Sequence, residues 1–218
     1  MTLAPRDLAP FIEHTLLRPE ATAADVDLLC EEAVGHGFCG VCVNPVHIAR
    51  ASRALAGQGP LPVCVVGFPL GATLTRVKAW EAGLVADLGA REIDMVLNIG
   101  AFRAGERALA GEDVAAVVRA AAGAPVKVIL ETALLTEPDI VAACRLAVEA
   151  GAAFVKTSTG FGPGGATVEA VGLMRQTVGP GIGVKASGGI ASYAQALAMV
   201  EAGASRIGSS ASLAIVSD

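Results

Sequence analysis

The chain alternates between two hydrophobic patterns. Segments rich in Ala, Leu and Glu, with apolar residues at helical spacing, end at glycine, often as Gly-Ala. Each is followed by a short β-branched run, then by glycine or small polar residues, then by the next helical segment. The clearest internal echo pairs VEAGAAFVKTS (148–158) with VEAGASRIGSS (200–210). The shared Glu-Ala-Gly reads as a helix end with glycine at a left-handed cap. The pattern predicts strands at 12–16, 39–43, 62–67, 92–97, 126–131, 153–157, 182–186 and 205–208. Helices are predicted at 22–36, 45–56, 73–88, 105–122, 136–150, 167–178, 191–201 and 209–216, with an additional short helix before the first strand. Thr136 before EPDI and Ser192 before YAQALAMV have the chemistry of N-caps.

Strand strictly alternating with helix implies parallel strands, and near-continuous apolar strands imply a sheet covered on both faces. Eight such units point to an α/β chain folded as a single (β/α)8 TIM barrel with a short extra N-terminal helix, one domain over residues 1–218. An open nucleotide-binding sheet is the alternative. It lacks support: no G-x-G-x-x-G follows the first strand, and no G-x-x-x-x-G-K-[ST] occurs in the chain. No linker or shift of composition marks a second domain.

The 218 residues are 53% hydrophobic, ample for one large core. The formal net charge is −5 with no basic cluster, which argues against a nucleic-acid or anionic-membrane partner. An anionic substrate would have to be attracted by local groups. The N-terminal MTLAPRDLAPFIEHTLL lacks the basic start and apolar run of a signal peptide, and Arg119 and Lys127 interrupt the best candidate for a membrane span. A cytoplasmic protein is expected. The five cysteines do not suggest a disulfide scaffold. Cys39 and Cys42 form a C-x-x-C, but within a strand the two point to opposite faces, so buried thiols are the better reading. His14, His36 and His47 show no metal-ligand spacing, and no metal or other cofactor is expected. His14 is placed to touch substrate, whereas His36 and His47 read as ordinary helix-end residues.

In a barrel of this kind the active site lies at the C-terminal ends of the strands. The polar groups falling there are Glu13, His14 and Thr15 on strand one, Cys42 and Asn44 on strand two, and Asp94 and Asn98 on strand four. Glu131 ends strand five, Lys156 and Thr157 strand six, Lys185 strand seven, and Gly208, Ser209 and Ser210 strand eight. Lysine is the informative type, because the chain has twelve arginines but four lysines. Lys78 falls in a helix and is expected to be solvated. Lys127 starts its strand, away from the site, and is expected to be paired or snorkelling. Lys156 and Lys185 both fall at the functional end. Burying two ammonium groups near each other disfavours charge on each, which is one way to make a lysine nucleophilic. A pKa of ~7 instead of ~10.4 would free about half the amine at neutral pH, roughly a thousandfold gain. A free amine condenses with a carbonyl, and the protonated imine draws electrons from an adjacent carbon–carbon bond. Asp94 is the best-placed carboxylate for the accompanying proton transfers. A purely structural ion-pair network, Lys156–Asp94–Lys185, is the competing reading of the same residues.

Gly160, Gly188, Gly189, Ser209 and Ser210 suggest a phosphate cradle: close backbone approach, exposed N–H groups and hydroxyls, after strands six to eight.

The segments EHTLL (13–17), VCVNP (41–45), VVGFPLG (65–71), EIDMVLNIG (92–100), KVILET (127–132), FVKTSTGF (154–161), VKASGGI (184–190) and SRIGSS (205–210) together resemble the deoxyribose-phosphate aldolase family of class I, Schiff-base aldolases. The resemblance runs nearly the length of the chain. It implies a (β/α)8 barrel, no metal, and reversible cleavage of 2-deoxy-D-ribose 5-phosphate to D-glyceraldehyde 3-phosphate and acetaldehyde in cytoplasmic deoxynucleoside and carbohydrate catabolism. It further implies a homodimer or homotetramer. By motif position, Lys156 resembles the Schiff-base lysine, Lys185 the second lysine that depresses its pKa, and Asp94 the proton-transfer carboxylate working through an ordered water. Gly160, Gly188, Gly189, Ser209 and Ser210 fall where the family holds phosphate, and Glu13, Thr15, Cys42 and Thr157 are candidate supporting residues. Two positions depart from the pattern. Glu13 stands where many members have Asp, which changes its reach toward the second lysine or Thr15. Phe161 stands where some members have lysine, so a relay through that lysine does not carry over. A Schiff-base lyase for another phosphosugar, or a non-catalytic phosphosugar-binding barrel, are the alternatives.

Overall fold

The structure, a computed structural model, describes residues 3–217. Eight strands pair in parallel, each with its neighbour in sequence: β1 (Ile12–Leu16), β2 (Gly40–Val43), β3 (Leu61–Val66), β4 (Glu92–Val96), β5 (Val126–Ile129), β6 (Phe154–Lys156), β7 (Gly183–Ser187) and β8 (Arg206–Ser209). β8 pairs back onto β1 and closes the barrel, which removes the open sheet from consideration. The helices are α1 (Ala23–His36), α2 (Ile48–Ala54), α3 (Thr75–Asp87), α4 (Ile99–Arg103), α5 (Arg107–Ala120), α6 (Glu137–Glu149), α7 (Val168–Val178), α8 (Tyr193–Glu201) and α9 (Ser212–Val216). A 3-10 segment, Pro5–Phe11, is the short element expected before β1.

Local chemistry sets the helix ends. Thr22, Thr136, Thr167 and Ser192 cap α1, α6, α7 and α8, each side chain accepting a backbone N–H of the first turn. The repeated Glu-Ala-Gly ends its helices as expected, with Gly151 and Gly203 at positive φ.

Strand periodicity divides the molecule into two layers. Val41, Val43, Cys64, Val66, Ile93, Met95, Val128, Val155, Val184 and Ile207 join the large core between barrel and helices. Each fully buried aliphatic side chain there contributes about 1.5–3 kcal/mol. The alternate positions face the barrel interior. On one side of that interior Leu17, Cys42, Val63 and Val65 form a small apolar cluster with Phe68. Much of the rest is occupied by Glu13, Glu92, Asp94, Lys127, Lys156 and Lys185, all buried.

Four differences from the sequence expectation have local causes. The stretch after β4 forms α4, capped by the Asn98 side chain accepting from Ala101 N at 3.2 Å. β5 stops at Ile129, because Glu131 takes a left-handed conformation (φ 55°) that no strand continues through. The last helix begins at Ser212 rather than 209, since Ser209 ends β8. Lys78 is not solvated. It is fully buried, donating to Asp113 at 2.6 Å and to the Val96 carbonyl at 2.9 Å, so that it ties α3 to α5 and to the end of β4.

Candidate active site

Strand register determines which side chains meet. Asp94 on β4 stands opposite Lys127 on β5, and Lys156 on β6 stands opposite Lys185 on β7. Ile129 is the β5 partner of Lys156, so Lys127 lies two residues, one inward step of about 7 Å, further down the barrel. Four methylenes close most of that gap. All three ammonium groups converge on one carboxyl group: Asp94 accepts from Lys156 at 2.8 Å, from Lys185 at 2.6 Å and from Lys127 at 2.9 Å. Lys127 is therefore paired, as expected, but it belongs to the central network.

Glu13 is the second hub. It accepts a short hydrogen bond from Lys185 and lies 3.3 Å from Lys127. Lys127 also meets Glu92 at 2.5 Å, and Arg206 approaches both Glu13 and Glu92 at 3.9 Å. Gly208 makes this crowding possible, because a Cβ there would sit 3.0 Å from Lys185 Cε. Glu13 does not bond Thr15 through its carboxyl. Instead the Thr15 hydroxyl donates to the Glu13 carbonyl at 2.9 Å.

The charge balance separates the lysines. Glu13, Glu92 and Asp94 supply three negative charges, and Lys127, Lys185 and Arg206 supply three positive ones. Lys156 is the surplus cation. Burial pushes its pKa down, Asp94 opposes that, and the Lys185 charge adds to the depression. Lys185 goes the other way: burial disfavours its charge, but Asp94 and Glu13 outweigh this and hold it protonated. Lys127 is likewise held protonated, with Asp94, Glu13 and Glu92 overcoming burial. Burial alone would raise the Asp94 pKa, but Lys127, Lys156 and Lys185 hold it well below the usual carboxylate range.

Lys156 is also the lysine with an outlet. It lies in the wall of a cleft of about 430 Å³ at the C-terminal mouth of the barrel. The same cleft is lined by Thr15, Gly160, Gly188, Gly189, Ser209 and Ser210, so the residues proposed for amine chemistry and for phosphate come together. Gly188 and Gly189 both have positive φ (87° and 77°), a conformation that other residues adopt at a cost. Ser210 is exposed at the mouth. The Ser209 hydroxyl is already engaged, donating to Ile190 O at 2.7 Å and accepting from Ala211 N at 2.9 Å, so it joins two cleft loops.

Other expected residues fall beside the cleft. The Thr157 hydroxyl exchanges hydrogen bonds with the Ser187 backbone at 3.1 Å and ties β6 to β7. Cys42 is a buried thiol pushed up to about 11 by desolvation. Cys42, Glu13 and Asp94 bring their ligand atoms within 4.8 Å of one another, the geometry of a small cation site, but Lys185 already donates to both carboxyl groups. His14 does not reach the substrate cleft. As the alternate residue of β1 it points outward, bonding Ser212 Oγ at 2.9 Å and Glu32 Oε2 at 2.8 Å. His36 ends α1 and His47 ends a 3-10 turn, both as expected. Asn44 donates to Leu17 O at 3.0 Å and acts as a loop tie.

Arg18 and Phe161 are among the cleft residues that sequence did not single out as binding groups. Arg18, two positions past β1, brings a guanidinium to the rim of the cleft although it is paired with Asp25 at 2.9 Å. Phe161, half exposed, packs edge-on against Phe68 with ring centroids 5.3 Å apart. Its phenyl ring gives this rim an apolar edge.

Residues 10–217 match the model of the DeoC/LacD family aldolases. A deoxyribose-phosphate aldolase of Brevibacillus brevis is 54% identical over 206 residues, 94% of this chain and 93% of its own length. One from Halalkalibacterium halodurans is 54% identical over 97% of this chain and 95% of its own. Among solved structures, a tetrameric deoxyribose phosphate aldolase from Aeropyrum pernix superposes with a TM-score of 0.91 at 37% identity, covering 98% of this chain and 91% of that one. A closed eight-stranded barrel, a lysine that opens from its interior into a glycine- and serine-lined cleft, and these matches over nearly the whole length place the chain in the DeoC/LacD family of aldolases.

Proposed function

We propose that the chain is a class I aldolase that reversibly cleaves 2-deoxy-D-ribose 5-phosphate to D-glyceraldehyde 3-phosphate and acetaldehyde through an imine on Lys156. The observation that carries this reading is the position of Lys156 as the unbalanced cation of a buried network, open to a cleft whose far wall suits phosphate. A protein that only bound its ligand would have no need of a buried lysine that shares one carboxylate with two other ammonium groups and opens into the ligand cleft.

The neutral Lys156 amine attacks the C1 aldehyde of the open-chain sugar, and loss of water from the carbinolamine leaves a protonated imine. Removal of the C3 hydroxyl proton then breaks the C2–C3 bond. Glyceraldehyde 3-phosphate departs, and the electron pair moves into the enamine. Protonation at C2 and hydrolysis release acetaldehyde and regenerate the amine. Asp94 and Lys185, bonded at 2.6 Å, act in this scheme as one proton-transfer pair. The Lys185 charge also adds to the lowering of the Lys156 pKa that burial begins, which favours the neutral amine. Gly160, Gly188, Gly189, Ser209 and Ser210 hold the phosphate, with the nearby Arg18 attracting the anion against the net charge of −5.

Residues 1–218 would act as one catalytic domain in the cytoplasm. Among the described residues no helix is long and apolar enough to cross a membrane. A homodimer or homotetramer is proposed because Val77, Trp80, Leu84 and Leu88 form one exposed apolar stripe along α3 and its C-terminal end, with Trp80 70% exposed. A monomeric mass by light scattering would contradict it.

The deciding experiment is incubation with acetaldehyde, reduction with borohydride and peptide mapping by mass spectrometry. A two-carbon adduct on Lys156 is expected. An adduct on Lys185 would reverse the two roles, and none on either lysine in folded protein would sink the Schiff-base mechanism.

A further inference from the structure

The segment between β6 and α7, TSTGFGPGGAT (157–167), carries Gly160 and Phe161 to the cleft. It has four glycines and no helix or strand, so fixing it in one shape costs considerable conformational entropy. Something outside the segment must hold it.

Glu131 does so from the loop after β5. It is 3% exposed, and its Oε2 accepts from both Thr159 N at 3.2 Å and Thr159 Oγ1 at 2.5 Å. The same Thr159 hydroxyl accepts from Phe161 N at 3.1 Å, so one carboxyl group organises the chain on both sides of Gly160. Gly162 packs directly on it, since a Cβ there would lie 2.7 Å from Glu131 Cδ. Two features indicate that this contact is held against a cost. Glu131 sits at φ 55°, where a long side chain is uncommon, and its Oε1 is buried without a hydrogen-bond partner. Glu131 does not itself line the cleft.

We infer that Glu131 is a positioning residue that shapes the β6–α7 loop so that Gly160 meets the substrate's phosphate, an inference that rests on the phosphate reading of the cleft given above. Its effect should be selective, because Asp94, Lys156 and Lys185 are carried by the barrel strands β4, β6 and β7 rather than by this loop.

The test compares 2-deoxy-D-ribose 5-phosphate with unphosphorylated 2-deoxy-D-ribose in the wild type, Glu131→Ala and Glu131→Gln. In Glu131→Ala, KM for the phosphorylated sugar should rise on the order of tenfold with kcat nearly unchanged, while kcat/KM for the unphosphorylated sugar stays at the wild-type value. Glu131→Gln keeps an acceptor oxygen and should show the same selectivity at about a third of the size or less. Should the alanine variant not fold, the glutamine variant alone decides by that selectivity. Equal losses on both substrates would mean a merely structural role and overturn the inference, as would no change on either. The wild-type arm speaks to the function itself: no turnover of the phosphorylated sugar there would remove the aldolase reading, whatever the variants do.

Discussion

Lys78 and Lys156 are both buried, both bonded to an aspartate within 3 Å, and both pushed below the ordinary lysine pKa first of all by burial. Only one of them is placed to do chemistry. Lys78 has Asp113 as its own partner, the Val96 carbonyl as a second acceptor, and no exposure. Its charge is matched, and nothing can reach it. Lys156 shares Asp94 with two other lysines, faces a local surplus of positive charge, and opens into a cleft. Desolvation is common to the two, so a depressed lysine pKa does not by itself mark a nucleophile. Shared counter-charge and an open approach do.

The largest effect that would break this comparison comes from exchanging the two lysines' fates. Lys156→Arg should abolish turnover, at least a thousandfold, with unchanged circular dichroism, because a guanidinium stays protonated and forms no imine. Lys78→Met should leave the acetaldehyde adduct on Lys156 in place but lower stability by about 3–5 kcal/mol, since Asp113 keeps the Thr75 hydroxyl but is left buried without a counter-charge. Denaturant melts and borohydride trapping, run on both variants, check the pair. Residual turnover in the arginine variant would contradict the assignment of Lys156.

The same comparison shows what sequence could and could not reveal. The barrel was legible because its information is local: short β-branched runs, helices and glycine caps repeat along the chain in the order in which they pack. Lys156, Lys185 and Asp94 could be assigned to one interior because the pattern locates their strands, with Lys156 ending β6 and the other two lying mid-strand on β7 and β4. Lys78 was misread as solvated because a lone lysine in a helix is usually solvated, and its partner Asp113 lies 35 positions away on another helix. Lys127 was correctly expected to be paired but set apart from the site, because the stagger that lets it reach Asp94 belongs to strand pairing rather than to any one strand. His14 was assigned to the substrate because strand-end position was weighed without the alternation that turns it outward.

A smaller effect tests the electrostatic half of the argument. Lys185→Leu removes the positive neighbour that helps to depress Lys156, so the Lys156 pKa should rise. The acid limb of the pH–rate profile would move to higher pH. Activity near neutrality should fall by one to two orders of magnitude, about tenfold for every pH unit the limb travels. An unmoved limb would leave Lys185 without an electrostatic role. The profile, rather than the rate alone, is needed because Lys185 also pairs with Asp94 in the proposed proton transfers.

The smallest effects concern Glu13, the second hub of the buried network. Glu13→Gln takes a negative charge from the network and leaves Lys185 and Lys127 less compensated, so Lys156 should lose its proton more readily. The acid limb should then move to lower pH, opposite in sign to Lys185→Leu. Glu13→Asp keeps the charge and shortens the side chain by about 1.5 Å. Lys185 retains Asp94, and Lys127 retains Asp94 and Glu92, so neither cation is orphaned by the shorter reach. The limb should therefore stay where it is and kcat/KM should change less than about threefold. If Glu13→Asp moved the limb as far as Glu13→Gln, charge would not be what Glu13 contributes, and the charge balance that singles out Lys156 would have to be replaced by an argument from packing.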